Sequence, residues 1–191
     1  MALINTGCSA QKNIPENNVD GPGSNKQPIE DSILRKLQTE NDLVIAYAVE
    51  NFAWVRSIDY RIIAQKNNEW KGYNYHLNLM RGSSAGSPTV VTEAVVNKES
   101  CNSVLNYINE NKAWAIPGDS GDGFCNDGNT KCNINDAASA RLWIITKNTV
   151  VNPSYYAPEF FEKCCPDKQR GLFLSITKKI AAIFGSSNDS E

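Results

Sequence analysis

Among the 191 residues there is a single His, His76, and no C-x-x-C spacing joins any of the six Cys. A lone imidazole builds neither an H-E-x-x-H helix nor a multi-His zinc site, and a Ser-His-Asp triad would have to draw on His76. Without C-x-x-C, neither a thioredoxin-type redox motif nor a zinc ribbon is written here. The 19 Lys and Arg are scattered without a run and the formal net charge is -2. That leaves no basic field for phosphate backbones, so nucleic acid is not an expected partner. Long apolar runs are missing too: the longest, Leu43 to Val49, falls far short of the roughly 20 residues that span a bilayer. No internal repeat is present.

What is present begins at the N-terminus. Met1 to Cys8 reads M-A-L-I-N-T-G-C, a few apolar residues and then a small residue immediately before Cys. Thr6-Gly7-Cys8 resembles the lipobox of bacterial envelope lipoproteins, in which the Cys becomes the lipidated first residue after signal cleavage. Residues 9–27 follow, rich in Asn, Pro, Gly and Ser around Gly21-Pro22-Gly23. Such a stretch buries too little apolar surface to offset its ordering entropy, so a flexible tether is expected. About twenty residues of this kind reach roughly 25 Å. The resemblance implies an exported protein attached to the membrane only through acyl chains on Cys8. Ser9, standing where an inner-membrane retention aspartate would be, implies an outer-membrane or periplasmic setting.

Residues 28–184 read as one globular α+β domain, with a polar tail over 185–191 expected to be disordered. Ile29, Ile33, Leu34 and Leu37 make the apolar stripe of a short helix whose first turn is acidic. Leu43 to Val49 reads as a strand buried on both faces. Ile58 to Gln65 and Trp70 to Leu79 flank a turn at 66–69 and form a hairpin. In its second arm Tyr73, Tyr75, Leu77 and Leu79 share one face, while Asn74, His76 and Asn78 share the polar one. Thr89 to Val96 is a further strand.

Asn97 to Lys112 is a second helix, with Cys101, Val104, Leu105 and Ile108 on its buried stripe. Burying those three aliphatics is worth on the order of 5–8 kcal/mol before entropy is subtracted. Arg141 to Val151 is strand-like, Tyr155 to Phe161 is an irregular aromatic segment, and Phe173 to Phe184 is helical at least from Thr177. The expected architecture is an antiparallel sheet of about four to six strands with two or three helices packed on one face.

The cysteines other than Cys8 suit disulfides in an oxidising compartment. Cys125 and Cys132 bracket a turn-forming hexapeptide and are the first candidate pair, followed by Cys101 with Cys164 or Cys165. Five cysteines leave one odd: a buried free thiol, or else Cys8 is not lipidated and three bonds form. Asp119, Asp122 and Asp127 lie in a Gly- and Asn-rich loop over 118–136, oxygen-ligand chemistry suited to Ca²⁺, although the EF-hand spacing fails. Otherwise no cofactor is implied. Tyr155, Tyr156, Phe160 and Phe161 form either a binding surface or one end of the core.

The leading functional expectation is a non-catalytic binding module in the cell envelope, recognising a protein or small ligand through loops. An envelope hydrolase using the 118–136 carboxylates, with or without a metal, is the alternative, and an inhibitor or immunity-type protein is a third.

Overall fold

The computed structural model describes residue 29 and residues 31–51, 56–79, 90–119 and 132–185. Cys8, the tether, Asp122, Cys125, Asp127 and the tail lie outside these residues. Helix α1 (Ser32–Glu40) starts at Asp31, whose carboxylate Oδ1 accepts from the backbone N–H of Ile33 at 2.8 Å and Leu34 at 2.9 Å. Two of the four donors that a helix start leaves open are thereby satisfied. Asn41 closes the helix, its Nδ2 donating to the Leu37 carbonyl at 2.8 Å.

Strand β1 (Leu43–Asn51) then runs between β2 (Arg56–Lys66) on one side and β5 (Ser139–Thr146) on the other, antiparallel to both. Ile45 stands opposite Ile63 in β2 and Ile144 in β5. β2 turns back into β3 (Glu69–Leu79) through Asn67 and Asn68, with φ of 50° and 65°. Two left-handed residues make the tight turn whose twist matches a hairpin, and Asn tolerates that backbone better than most residues. β4 (Val90–Ala94) pairs with β3. On the far side, β6 (Val150–Val151) pairs with Ile144 and Ile145, and β7 (Ser154–Tyr156) with Ser139 to Arg141. The sheet order is β4-β3-β2-β1-β5-β6, with β7 also on β5.

Three more helices complete the domain: α2 (Lys98–Glu110), capped by Asn97, α3 (Pro158–Cys164), and α4 (Lys168–Ile183), capped by Asp167. A short 3-10 turn, Ala113–Ala115, follows α2. The antiparallel α+β class is as expected, with four helices and seven strands among the described residues. The helices are not confined to one face, however. Alternation along β1 sends Leu43 and Ile45 to one side, where Cys101, Val104, Leu105 and Ile108 of α2 and Phe173, Ile176 and Ile180 of α4 meet them. Val44, Ala46 and Ala48 go to the other side, against Leu34 and Leu37 of α1 and Ile29 just before it. A strand apolar on both faces needs cover on both, and α1 supplies the second layer.

Two further differences concern the C-terminal third. Residues 154–164 are not irregular but form β7 and α3. Pro158 suits the first turn of α3, where its missing N–H costs nothing. α4 begins at Lys168, nine residues before Thr177, because Asp167 Oδ1 accepts from the N–H of both Gln169 and Arg170 at 2.9 Å.

Under α3 lies a third small cluster of Cys132, Ala157 and Phe161. Cys132 is disulfide-bonded to Cys164, with Cα atoms 6.3 Å apart, and Cys165 is disulfide-bonded as well. The expected Cys125–Cys132 pair is therefore replaced. Cys101 also does not join Cys164 or Cys165: it is a buried free thiol, held on the sheet side of α2 in a different cluster from Cys132 and Cys165. Closing a loop of 32 residues in sequence separation is worth roughly 3–4 kcal/mol on the chain-entropy model. Arg170 adds a second clasp, donating to the carbonyls of Phe161 (3.2 Å) and Cys165 and to the Glu162 carboxylate (3.2 Å).

Truncation on either face of the sheet tests the two-sided core. Ile45→Ala and Ile62→Ala, both at fully buried positions, should each lower unfolding free energy by about 2–5 kcal/mol. The urea midpoint should fall in both variants with little change in slope. A cost well under 1 kcal/mol at Ile62 would mean that α1 does not seal a core.

Candidate functional site

Helices α2 and α4 cover only part of their side of the sheet. Ile63 is sealed beneath them, but Arg61 and Asp59, two and four residues earlier on the same face of β2, lie beyond that cover. Across the strands, Tyr47 stands opposite Arg61, Arg61 opposite Asn74, and Asn74 opposite Thr92. One step further along, Val49, Asp59 and His76 form the next row. Asp59, Asn74, His76 and Thr92 are exposed, while Tyr47 and Arg61 are half-buried. Together they make a polar stretch on an otherwise apolar sheet side.

Its closest contact is the cross-strand pair of His76 Nδ1 with Asp59 Oδ1 at 2.5 Å, the side chains 47% and 55% exposed. Exposed pairs of this kind contribute little to stability, so the fold does not depend on it. Burial, and after it the carboxylate of Glu159 in α3, pushes the Tyr47 hydroxyl above the ordinary phenol range, with the Arg61 guanidinium pulling the other way. Tyr47 is thus a neutral donor and acceptor at physiological pH. The patch offers carboxylate, guanidinium, imidazole, amide and hydroxyl groups side by side. It suits a ligand rich in hydrogen-bonding groups of both kinds better than a polyanion.

The expectation that His76 sits on the polar face of its strand is met. Its partner was also within reach of the sequence, since placing Gln65 opposite Trp70 puts Asp59 opposite His76 six residues along each arm. What the sequence does not carry is the extent of helical cover above them.

The other sequence candidates fare differently. Tyr155 is only 4% exposed: its ring packs on Phe173 with centroids 4.7 Å apart, and its hydroxyl donates to the Pro117 carbonyl at 2.8 Å. Phe161 is buried edge-on to Phe160, with centroids 5.3 Å apart. Tyr156 and Phe160 are half-buried against the same small cluster, and the Tyr156 hydroxyl accepts from the Ala137 N–H at 3.0 Å. Three residues of β7 and the first turn of α3 turn Tyr155 and Phe161 into the core, while Tyr156 and Phe160 keep part of their surface exposed. Asp119 is exposed, and its backbone N–H donates to the Ser154 carbonyl at 2.8 Å. Among the described residues, no three His, Cys, Asp or Glu side chains gather as a metal-binding group. Nor is any helix among them long and apolar enough to cross a membrane.

No protein-family model matches this chain, and no curated protein is significantly similar to it.

Burial also raises two groups outside the patch. It pushes the Cys101 thiol up from 9.0 to about 11, and the Tyr155 hydroxyl up from 10.0 to about 12, with Asp167 and Asp119 adding to the latter. In both cases the native state holds the proton more tightly than the unfolded chain. Their contribution to stability is therefore whole below about pH 9 and is lost as the pH climbs toward 11 to 12. Melting temperature should be level from pH 7 to 9 and then fall, with Cys101 unreactive toward an aromatic disulfide reagent until the protein unfolds. Rapid modification of Cys101 in the native protein at pH 8 would contradict its placement. Tyr155→Ala should lower unfolding free energy by about 3–5 kcal/mol, where a surface residue would cost under about 0.5 kcal/mol.

Proposed function

We propose that this chain is a non-catalytic binding module of the cell envelope, anchored by acyl chains on Cys8 and carried on the 9–27 tether. It would meet its partner on the polar stretch of sheet around Tyr47, Asp59, Arg61, Asn74 and His76. The observation that carries this reading is that, among the described residues, α2 and α4 cover only part of one sheet side and leave Asp59, Asn74, His76 and Thr92 exposed. A run of hydrogen-bonding side chains stands on the adjacent strands β1, β2 and β3, where position is fixed without a flexible loop. The oxidised Cys132–Cys164 pair supports the compartment, since disulfides persist in secreted and envelope proteins and are rare in reducing cytosol. The mixed charge of the patch agrees with a chain of net charge -2 whose partner is not a polyanion.

The test joins anchoring to recognition. Protein recovered from its native envelope should carry added acyl mass on the peptide bearing Cys8. Cross-linking in that envelope should yield a discrete adduct that Arg61→Ala with His76→Ala removes, while the melting temperature of the double variant stays close to that of the parent. An adduct equally strong in the double variant would move recognition elsewhere, and unmodified Cys8 would remove the anchor.

A further inference from the structure

We propose that the outer edge of β4 is a strand-addition site for an extended segment of a partner protein, in which apolar residues alternate about a central Lys or Arg. Among the described residues β4 ends the sheet and pairs only with β3, over five consecutive residue pairs without a bulge. The far side of such a strand presents alternate N–H and C=O groups with no partner, and edges that must stay single are usually blocked by Pro, Lys or a bulge. The run Val90 to Val96, V-V-T-E-A-V-V, contains no Pro or Lys, β4 has no bulge, and the run's one charge is Glu93.

Its side chains add direction. Val91 is 40% exposed and Val95 101%, and these are the exposed large hydrophobics among the described residues. Both flank Glu93; Val91 and Glu93 project to one face of the strand, and Val95 follows its last residue directly. Glu93 is exposed and makes no ion pair among the described residues. On the opposite face Thr92 and Ala94 are small and leave room for larger side chains of an added strand.

Two occupants fit an open edge of this shape, and charge decides between them. A second copy pairing antiparallel, with its Val95 beside Val91, would bring Glu93 against Glu93, a like-charge pair directly opposite across the ladder. A segment with Lys or Arg at that position turns the same contact into an opposite-charge pair, while its flanking apolar residues cover Val91 and Val95. Main-chain hydrogen bonds then supply affinity and the alternate side chains supply selectivity. The proposal rests on the reading of the chain as a binding module only for its biological setting, because Val91 and Glu93 face the opposite side of the sheet from the Asp59–His76 patch.

Fluorescence anisotropy with the full chain and two labelled probes, Thr-Val-Thr-Lys-Thr-Val-Thr and Thr-Val-Thr-Glu-Thr-Val-Thr, tests it. The Lys-centred peptide should bind saturably and at least tenfold more tightly than the Glu-centred one. Glu93→Lys, an exposed substitution, should reverse that preference with an unchanged melting temperature, and Val91→Lys should weaken the Lys-centred peptide at least tenfold. Absence of saturable binding, equal affinity for the two peptides, or a preference that survives Glu93→Lys would overturn the proposal. So would a wild-type dimer in sedimentation that Glu93→Gln tightens and the Lys-centred peptide fails to dissociate, which would assign the edge to a second copy. None of these results alters the cross-linking test of Arg61 and His76, so the two readings fail separately.

Discussion

Strand β1 is enclosed on four sides, and the remaining architecture follows from that enclosure. β2 and β5 take its hydrogen bonds on either side, while α1 and the pair α2 and α4 take its two faces. Leu43, Val44, Ile45 and Ala46 are all fully buried in consecutive positions, which no one-sided sheet can provide. Each of the two larger cores therefore contains alternate residues of the same short run. Loss of either helical layer would expose apolar residues of the strand that the other layer also needs.

The parts of the fold legible in the sequence are those with a strong local period. The stripe Cys101, Val104, Leu105 and Ile108 repeats at helical spacing and is buried as a stripe. The β2–β3 hairpin is legible because two long arms alternate about a pair of Asn. Shorter pieces carry no period: β6 has two residues and β7 three, and each exists because the outer edge of β5 offers it a ladder. The same brevity hid the burial of Tyr155. Disulfide connectivity depends on which segments meet in space, here Cys132 outside any helix and Cys164 at the end of α3, and the closing of α3 against α4 by Arg170 is a tertiary contact that spacing does not encode. For the polar patch, the face of His76 and the register to Asp59 were both written in the hairpin. The limit of α2 and α4 above them was not.

The structure is locally imperfect in one informative place. The Trp143 indole N–H and the Asn152 Oδ1 are buried without hydrogen-bond partners. Each such group costs on the order of 1–3 kcal/mol. Both sit at or just beyond β5, where the outer neighbour changes from β6 to β7, so the interruption of the ladder and the unsatisfied atoms share a location. Arg141, its guanidinium 5.8 Å from the Trp143 ring, offsets part of that cost through a cation–π contact. The domain thus has a well-sealed centre and interrupted margins. Recognition falls naturally to those margins, the partly covered polar rows and the open β4 edge, because the centre has no surface to offer.

Native-state hydrogen exchange, resolved by strand, tests the dependence on β1 most directly. Amides of Leu43 to Ala48 should exchange only through global unfolding, with β5 and the paired part of β2 close behind, while β4 amides exchange through a lower-energy local opening. Amides of β1 exchanging as fast as those of β4, under conditions where the protein stays folded, would contradict the claim that both cores are built on that strand.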